Sequence, residues 1–95
     1  MSQVLKTTAA ALGYAQVTST TPAFQLTIPD GAQAVLLQAE TQNIRFTDDG
    51  LTVPTASKGM ILIAGALPFL YDGNLPALQF IQAASGAVLN VSFYK

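Results

Sequence analysis

The chain has no histidine, cysteine or tryptophan, and only 9% of its 95 residues are charged. Each absence removes a class of chemistry. Without histidine the commonest general base is missing, and no Ser-His-Asp or Cys-His relay can be assembled. Zinc sites built from His and Cys are excluded with it. Without cysteine, neither disulfides nor thiol chemistry contribute. Lys6, Arg45, Lys58 and Lys95 are the only basic residues, too few for a stripe against phosphates, and the net charge is −1. Nucleic acid is therefore not an expected partner. Ordinary soluble domains carry about 25% charged residues. A chain that is 51% hydrophobic with so few charges is expected to have part of its surface covered by other subunits.

Five carboxylates remain: Asp30, Glu40, Asp48, Asp49 and Asp72. Two carboxylates can form an acid/base pair, but Asp30 and Asp72 each precede a glycine in a turn context, where an aspartate bonds its own backbone. No enzymatic activity and no cofactor are expected. Asp48, Asp49 and Gly50 bring calcium to mind, yet calcium needs six to eight oxygens, and no glutamate closes this loop. A turn is the expected reading, with Gly50 at positive φ. No Gly-rich phosphate loop is present; "ASKGM" lacks the required spacing and the following Ser or Thr.

"MSQVLKTTAAALGYAQ" has no solid apolar core after its basic residue, so no secretory signal is expected. The most apolar run, "GMILIAGALPFL", is about half the length of a membrane helix and is interrupted by Gly65 and Pro68. No membrane partner is expected, and synthesis in the cytoplasm is.

Seven glycines and five prolines punctuate short apolar runs at intervals that suit an all-β fold. "AFQLTIP" alternates Phe24, Leu26 and Ile28 with Gln25 and Thr27 and predicts a half-buried strand, stopped by Pro29 and turned at Asp30 and Gly31. "QAVLLQAE" follows, then "QNIRF", with Ile44 and Phe46 inward and Arg45 outward. "GMILIAG" predicts a central strand buried on both faces. "PFLYDG" ends on a turn at Asp72, Gly73 and Asn74. "ALQFIQA" and "AVLNVSFY", flanking "ASG", predict a hairpin. Seven or eight short strands with short connections imply an all-β, small antiparallel β-sandwich, jelly-roll-like, occupying residues 14–95. Residues 1–13, polar and Ala-rich, read either as an arm lying on a neighbour or as a frayed terminus.

Four of the nine charged residues fall in "RFTDDGLTVPTASKGM": Arg45, Asp48, Asp49 and Lys58. Arg45 is placed to pair with either aspartate across the corner. Such a pair contributes about 0–1 kcal/mol if exposed. At a subunit contact, losing one partner of a buried pair costs about 2–5 kcal/mol. With no tryptophan to stack on sugars, Tyr14, Tyr71 and Tyr94 read as packing or interface residues.

The run "IPDGAQAVLLQAETQNIRFTDDGLTVPTASKGM", followed by "LYDGNLPALQFIQAASGAVLNVSFYK", resembles small virion-associated proteins of tailed bacteriophages and prophages. The shared elements are an Ala-rich strand ending Gln38, Ala39, Glu40, an Arg-x-x-Asp-Asp-Gly corner at residues 45–50, and Pro-Thr-Ala with Gly-Met at 54–60. A Tyr-x-Gly-x-Leu turn at 71–75 and a terminal strand at 86–94 complete them. Phe46 stands where that group has tryptophan, and the resemblance covers residues 28–95 only. It implies a structural virion component, made in the bacterial host cytoplasm and located in the virion. The capsid decoration or cement role is the first expectation. A head-tail connector, collar or tail component is the alternative, as is a host-surface glycan-binding module. The implied partners are the chain itself, as a homo-oligomer such as a trimer, and the phage major capsid protein or another virion protein. Leu5, Lys6, Tyr14, Arg45, Asp48, Asp49, Lys58 and Tyr71 are the candidate interface residues.

Overall fold

A computed structural model describes residues 10–95 of the chain. Period-two alternation of buried residues sets the layers. In β2 (Ala34–Glu40), Val35, Leu37 and Ala39 are buried while Leu36, Gln38 and Glu40 face outward. In β7 (Val88–Tyr94), Leu89, Val91 and Phe93 do the same. β1 (Ala11–Val17) and β5 (Phe69–Tyr71) complete a four-stranded antiparallel sheet in the order β1-β7-β2-β5. β3 (Ile44–Thr47), β4 (Met60–Leu62) and β6 (Gln79–Gln82) form a second antiparallel sheet, β4-β3-β6. Val35, Leu37, Leu89 and Val91 from the first sheet meet Ile44, Phe46 and Phe80 from the second in one core. Two stacked sheets, each burying one alternating face, are the all-β sandwich that the sequence implies.

The connection between β1 and β2, residues 18–33, closes one edge of the sandwich. Phe24 makes a reciprocal bridge with Phe80, each amide donating to the other's carbonyl at 2.8 Å. Counting Phe24 as the rudiment of an eighth strand beside β6, the two sheets have the strand order of a jelly roll. Thr20, almost fully buried, sits in the same seal. Its hydroxyl lies 3.0 Å from the Ala87 carbonyl and 3.0 Å from Gln82 Oε1, and its carbonyl accepts from the Gln82 amide.

Three sequence expectations change. "AFQLTIP" alternates as predicted, with Phe24, Leu26 and Ile28 partly buried and Gln25 and Thr27 exposed, but beyond the Phe24 bridge it forms no ladder. Any extended segment lying on an apolar surface shows that alternation, paired or not. β6 and β7 are not a hairpin: they belong to different sheets, and residues 83–87 arch between them. Length and a Gly-containing loop are the same for an arch and a hairpin, so the sequence does not separate them. "GMILIAG" is not a central strand; β4 is an edge strand, with Met60 and Ile61 exposed. Apolar residues on both sides of a strand fit burial on both faces or an uncovered edge equally well. As for the segment 1–13, β1 starts at Ala11, inside it, and residues 1–9 lie outside the described residues.

Phe80 is fully buried at the meeting of both sheets and the seal. Phe80→Ala is expected to cost about 3–5 kcal/mol, a large share of the stability of a domain this size. Thr20→Val, nearly isosteric, strips hydrogen bonding from the Ala87 carbonyl and is expected to cost about 1–3 kcal/mol. Chemical denaturation of the two variants checks both. A Thr20→Val variant as stable as the parent would contradict the role given to that hydroxyl.

Candidate functional site

The corner at residues 45–60 is a self-contained set of turns. Asp49 Oδ1 accepts from the amides of Leu51 (3.0 Å) and Thr52 (2.8 Å), while Oδ2 accepts from the Thr52 hydroxyl (2.6 Å). These bonds, led by that of the Thr52 side chain, pull the Asp49 carboxyl down to about 2. Gly50 follows at φ 73°, as the turn reading requires. Arg45 does not pair with either aspartate. Its Nη1 donates to the Gly59 carbonyl at 2.8 Å and its Nε to that of Ala56 at 3.3 Å. A guanidinium has five N–H donors and donates to neutral carbonyls as well as to carboxylates; here it takes those of the 55–59 turn. The turn itself is closed by reciprocal bonds between Thr55 and Lys58. Gly59 is required where it stands: its φ is 130°, and a Cβ there would lie 3.1 Å from the Phe46 carbonyl oxygen.

Asp48 reaches the other sheet. Tyr71 on β5 donates its hydroxyl to Asp48 Oδ2 at 2.8 Å and accepts from the Asn74 amide at 2.9 Å. Partial burial, reinforced by the Asp48 carboxylate, raises the phenol above its ordinary value. The ring passes so close to Gly73 that a Cβ there would sit 2.5 Å from the Tyr71 oxygen. Of the candidate interface residues, then, Asp48 and Tyr71 are joined. Arg45, Asp49 and Lys58 belong to the corner beside them, where Lys58, Asp48, Asp49 and Thr52 rim a shallow hollow. Tyr14 lies apart, on β1 at the opposite edge of its sheet from β5. Leu5 and Lys6 lie outside the described residues. Among the described residues, no three His, Cys, Asp or Glu side chains are gathered as a metal site.

Tyr14 belongs to a polar row on the outer face of the larger sheet. Its hydroxyl donates to Asn90 Oδ1 (2.6 Å), as does Gln16 Nε2 (3.1 Å), and Asn90 Nδ2 donates to Glu40 Oε1 (2.5 Å). Asn90 on β7, between Gln16 on β1 and Gln38 on β2, is the hub of this row, and the sequence offered no signal for it beyond an outward position in a strand.

The feature that sequence reasoning missed is apolar. β4 and β5 are the edge strands on the side away from the Phe24 seal, and the sandwich is open between them. Met60 (63%), Ile61 (41%), Ile63 (52%), Leu67 (90%) and Phe69 (43%) are exposed along this mouth. They border a groove of about 560 Å³ floored by Leu37, Ala39 and Phe46. Gln38 is the one polar side chain in its lining, and its amide is already engaged with the Ala66 carbonyl. A small-molecule pocket needs a few convergent polar groups to orient its ligand; this groove offers hydrophobic contact and a strand edge. Leu51 and Val53 form a second exposed apolar pair, on the corner loop.

No family model matches the chain, and comparison with curated proteins and with solved structures gives no match.

The Asp49 carboxyl is depressed below the unfolded value of about 3.9. The stabilisation of its loop is therefore fully present above about pH 4 and is lost as pH falls through about 2. Carbon-detected NMR titration of Asp49 is expected to show a midpoint near 2, with Leu51 and Thr52 amide shifts following it. A midpoint near 4 would contradict the bonding described.

Proposed function

We propose that the chain is a non-enzymatic structural protein of a bacteriophage virion, a capsid decoration protein that self-associates and stabilises the head. The observation that carries this reading is the uncharged apolar mouth between β4 and β5, with Leu51 and Val53 as a further apolar surface. A rigid sandwich with two such surfaces suits a protein that holds its own copies and a repeating lattice together. Each contact is small, so binding strength comes from many copies engaging neighbouring sites at once. The motif resemblance over residues 28–95 supplies the particle. Jelly rolls also recur in viral capsid and lectin domains, an analogy of fold alone. The corner charges are spent within the chain: Asp49 on its own loop, Arg45 on the 55–59 turn, Asp48 on Tyr71. That leaves them as fasteners of the corner rather than as an acid/base pair.

Purified virions provide the test. Hundreds of copies per particle, with a closed oligomer in light scattering of the isolated protein, are the expected result. About a dozen copies or fewer would place the chain at the connector, collar or tail, and absence from particles would end the virion reading.

A second reading, a glycan-binding module, draws on the outer face of the larger sheet. Tyr14, 65% exposed, borders the Asn90, Gln16 and Glu40 row, and a ring beside amides and a carboxylate is the equipment sugars require. This reading expects binding to host cells or immobilised glycans, abolished by Tyr14→Ala. Tyr71, with its hydroxyl committed to Asp48 and Asn74, is not the residue to test.

A further inference from the structure

We propose that the open mouth is closed by a second copy of the chain, β4 pairing antiparallel with its own counterpart about a two-fold axis through Ile61. This names the surface behind the self-association in the proposed function, and rests on that part of the reading only.

Four observations lead to a second copy rather than another occupant. The first is backbone chemistry. An edge strand turns alternate N–H and C=O groups outward, and these are self-complementary in an antiparallel ladder. The second is that β4, though only three residues long, lacks the other devices that blunt such an edge, since no charge or proline falls between Gly59 and Ala66. The longer edge, β1, does have one: its pairing with β7 slips between Ala11 and Gly13, the mark of a bulge.

The third is register. Pairing about Ile61 sets Met60 against the second copy's Leu62, Gly59 against its Ile63, and Ile61 against its own counterpart. Every facing pair from Gly59 to Ile63 is uncharged. Lys58 falls opposite an alanine, Ala64 of the other copy. Arg45, the neighbour of Ile61 on β3, would stand three strand spacings from its counterpart, about 14 Å at about 4.8 Å per strand. That exceeds the screening length of about 8 Å at physiological ionic strength, so the two guanidiniums do not oppose the contact.

The fourth is area. Taking about 200 Å² for a fully exposed large apolar side chain, the five mouth residues expose on the order of 550 Å² per copy. Two copies therefore bury about 1,100 Å², close to the lower limit of about 1,200 Å² for specific interfaces. The outcome is a dimer of modest affinity, with the smaller sheets joined into one of six strands, β6-β3-β4 and its symmetry mate. An isologous contact of this kind closes on itself and does not run on into a filament.

The test uses the full chain and the fact that it has no cysteine. In the paired register the two Ile61 Cα atoms lie about 4.5–5.5 Å apart, within the span of a disulfide. Ile61→Cys is expected to cross-link under mild oxidation about tenfold or more faster than Leu12→Cys on β1, because the pairing holds the two thiols together. Sedimentation of the parent is expected to give a concentration-dependent dimer, and Ile61→Lys a monomer with the parent's β-sheet circular dichroism. A parent that stays monomeric at high micromolar concentration, or equal cross-linking at the two positions, would overturn the proposal. So would an oligomer that survives Ile61→Lys, but that result leaves the virion reading standing. Conversely, absence from particles ends the virion reading without touching the β4 pairing. Should Ile61→Lys fail to fold, the cysteine comparison decides alone.

Discussion

A row of four phenylalanines runs through the middle of this sandwich from one edge to the other. Phe24 stacks on Phe80 with ring centroids 5.6 Å apart, Phe80 meets Phe46 at 6.1 Å, and Phe46 meets Phe69 at 6.2 Å. Phe24 belongs to the seal, Phe80 and Phe46 to the smaller sheet, and Phe69 to the larger. The row thus runs through all three parts of the core that the two sheets and the seal share. Each pair contributes about 0.5–1.5 kcal/mol beyond its buried area. Because a chain of 95 residues has a thin stability margin, the register of both sheets depends on keeping those rings in line. Around the row, among the described residues, no buried side-chain polar atom is left without a partner.

The two ends of the row differ, and that difference organises the surface. At the Phe24 end the residues 18–33 connection lies over the edge, with the buried Thr20 and the reciprocal Phe24 bridge holding it down. At the Phe69 end the loop from β4 to β5 is only residues 63–68. It is held by bonds from the Gly65 amide to the Ala39 carbonyl and from the Ala64 amide to Asn43 Oδ1, and it leaves the mouth uncovered. A closed edge and an open one on the same core give the molecule a direction. The open side is where hydrophobic free energy remains to be gained, and the low charge of the chain leaves nothing there to resist association.

Much of this was legible in the sequence, for identifiable reasons. Alternation in "QNIRF" set Ile44 and Phe46 inward, and both are buried, because a half-buried strand can bury only every second residue. Gly50 and Gly31 fell at positive φ, as their Asp-Gly turns demanded. Pairing partners were not legible. Nothing in "GMILIAG" says that its outer side faces solvent, and nothing in "ASG" says that the chain crosses to the other sheet. Both are properties of strand order, set by contacts far away in sequence. The corner at residues 45–60 was legible as a turn but not in its bonding. Arg45 bonds carbonyls 11 and 14 residues along the same corner, and Asp48 depends on Tyr71 of β5, 23 residues away.

The association role proposed for the open mouth is tested most directly by hydrogen exchange at the β4 amides. Exchange would be followed in the free chain at low and at high concentration, and again in the assembled state. Slowing confined to residues 60–67, with the β1 edge unchanged, is the result expected of a mouth covered by a partner. β4 amides that exchange equally fast in every state, or protection gained on β1 instead, would contradict it.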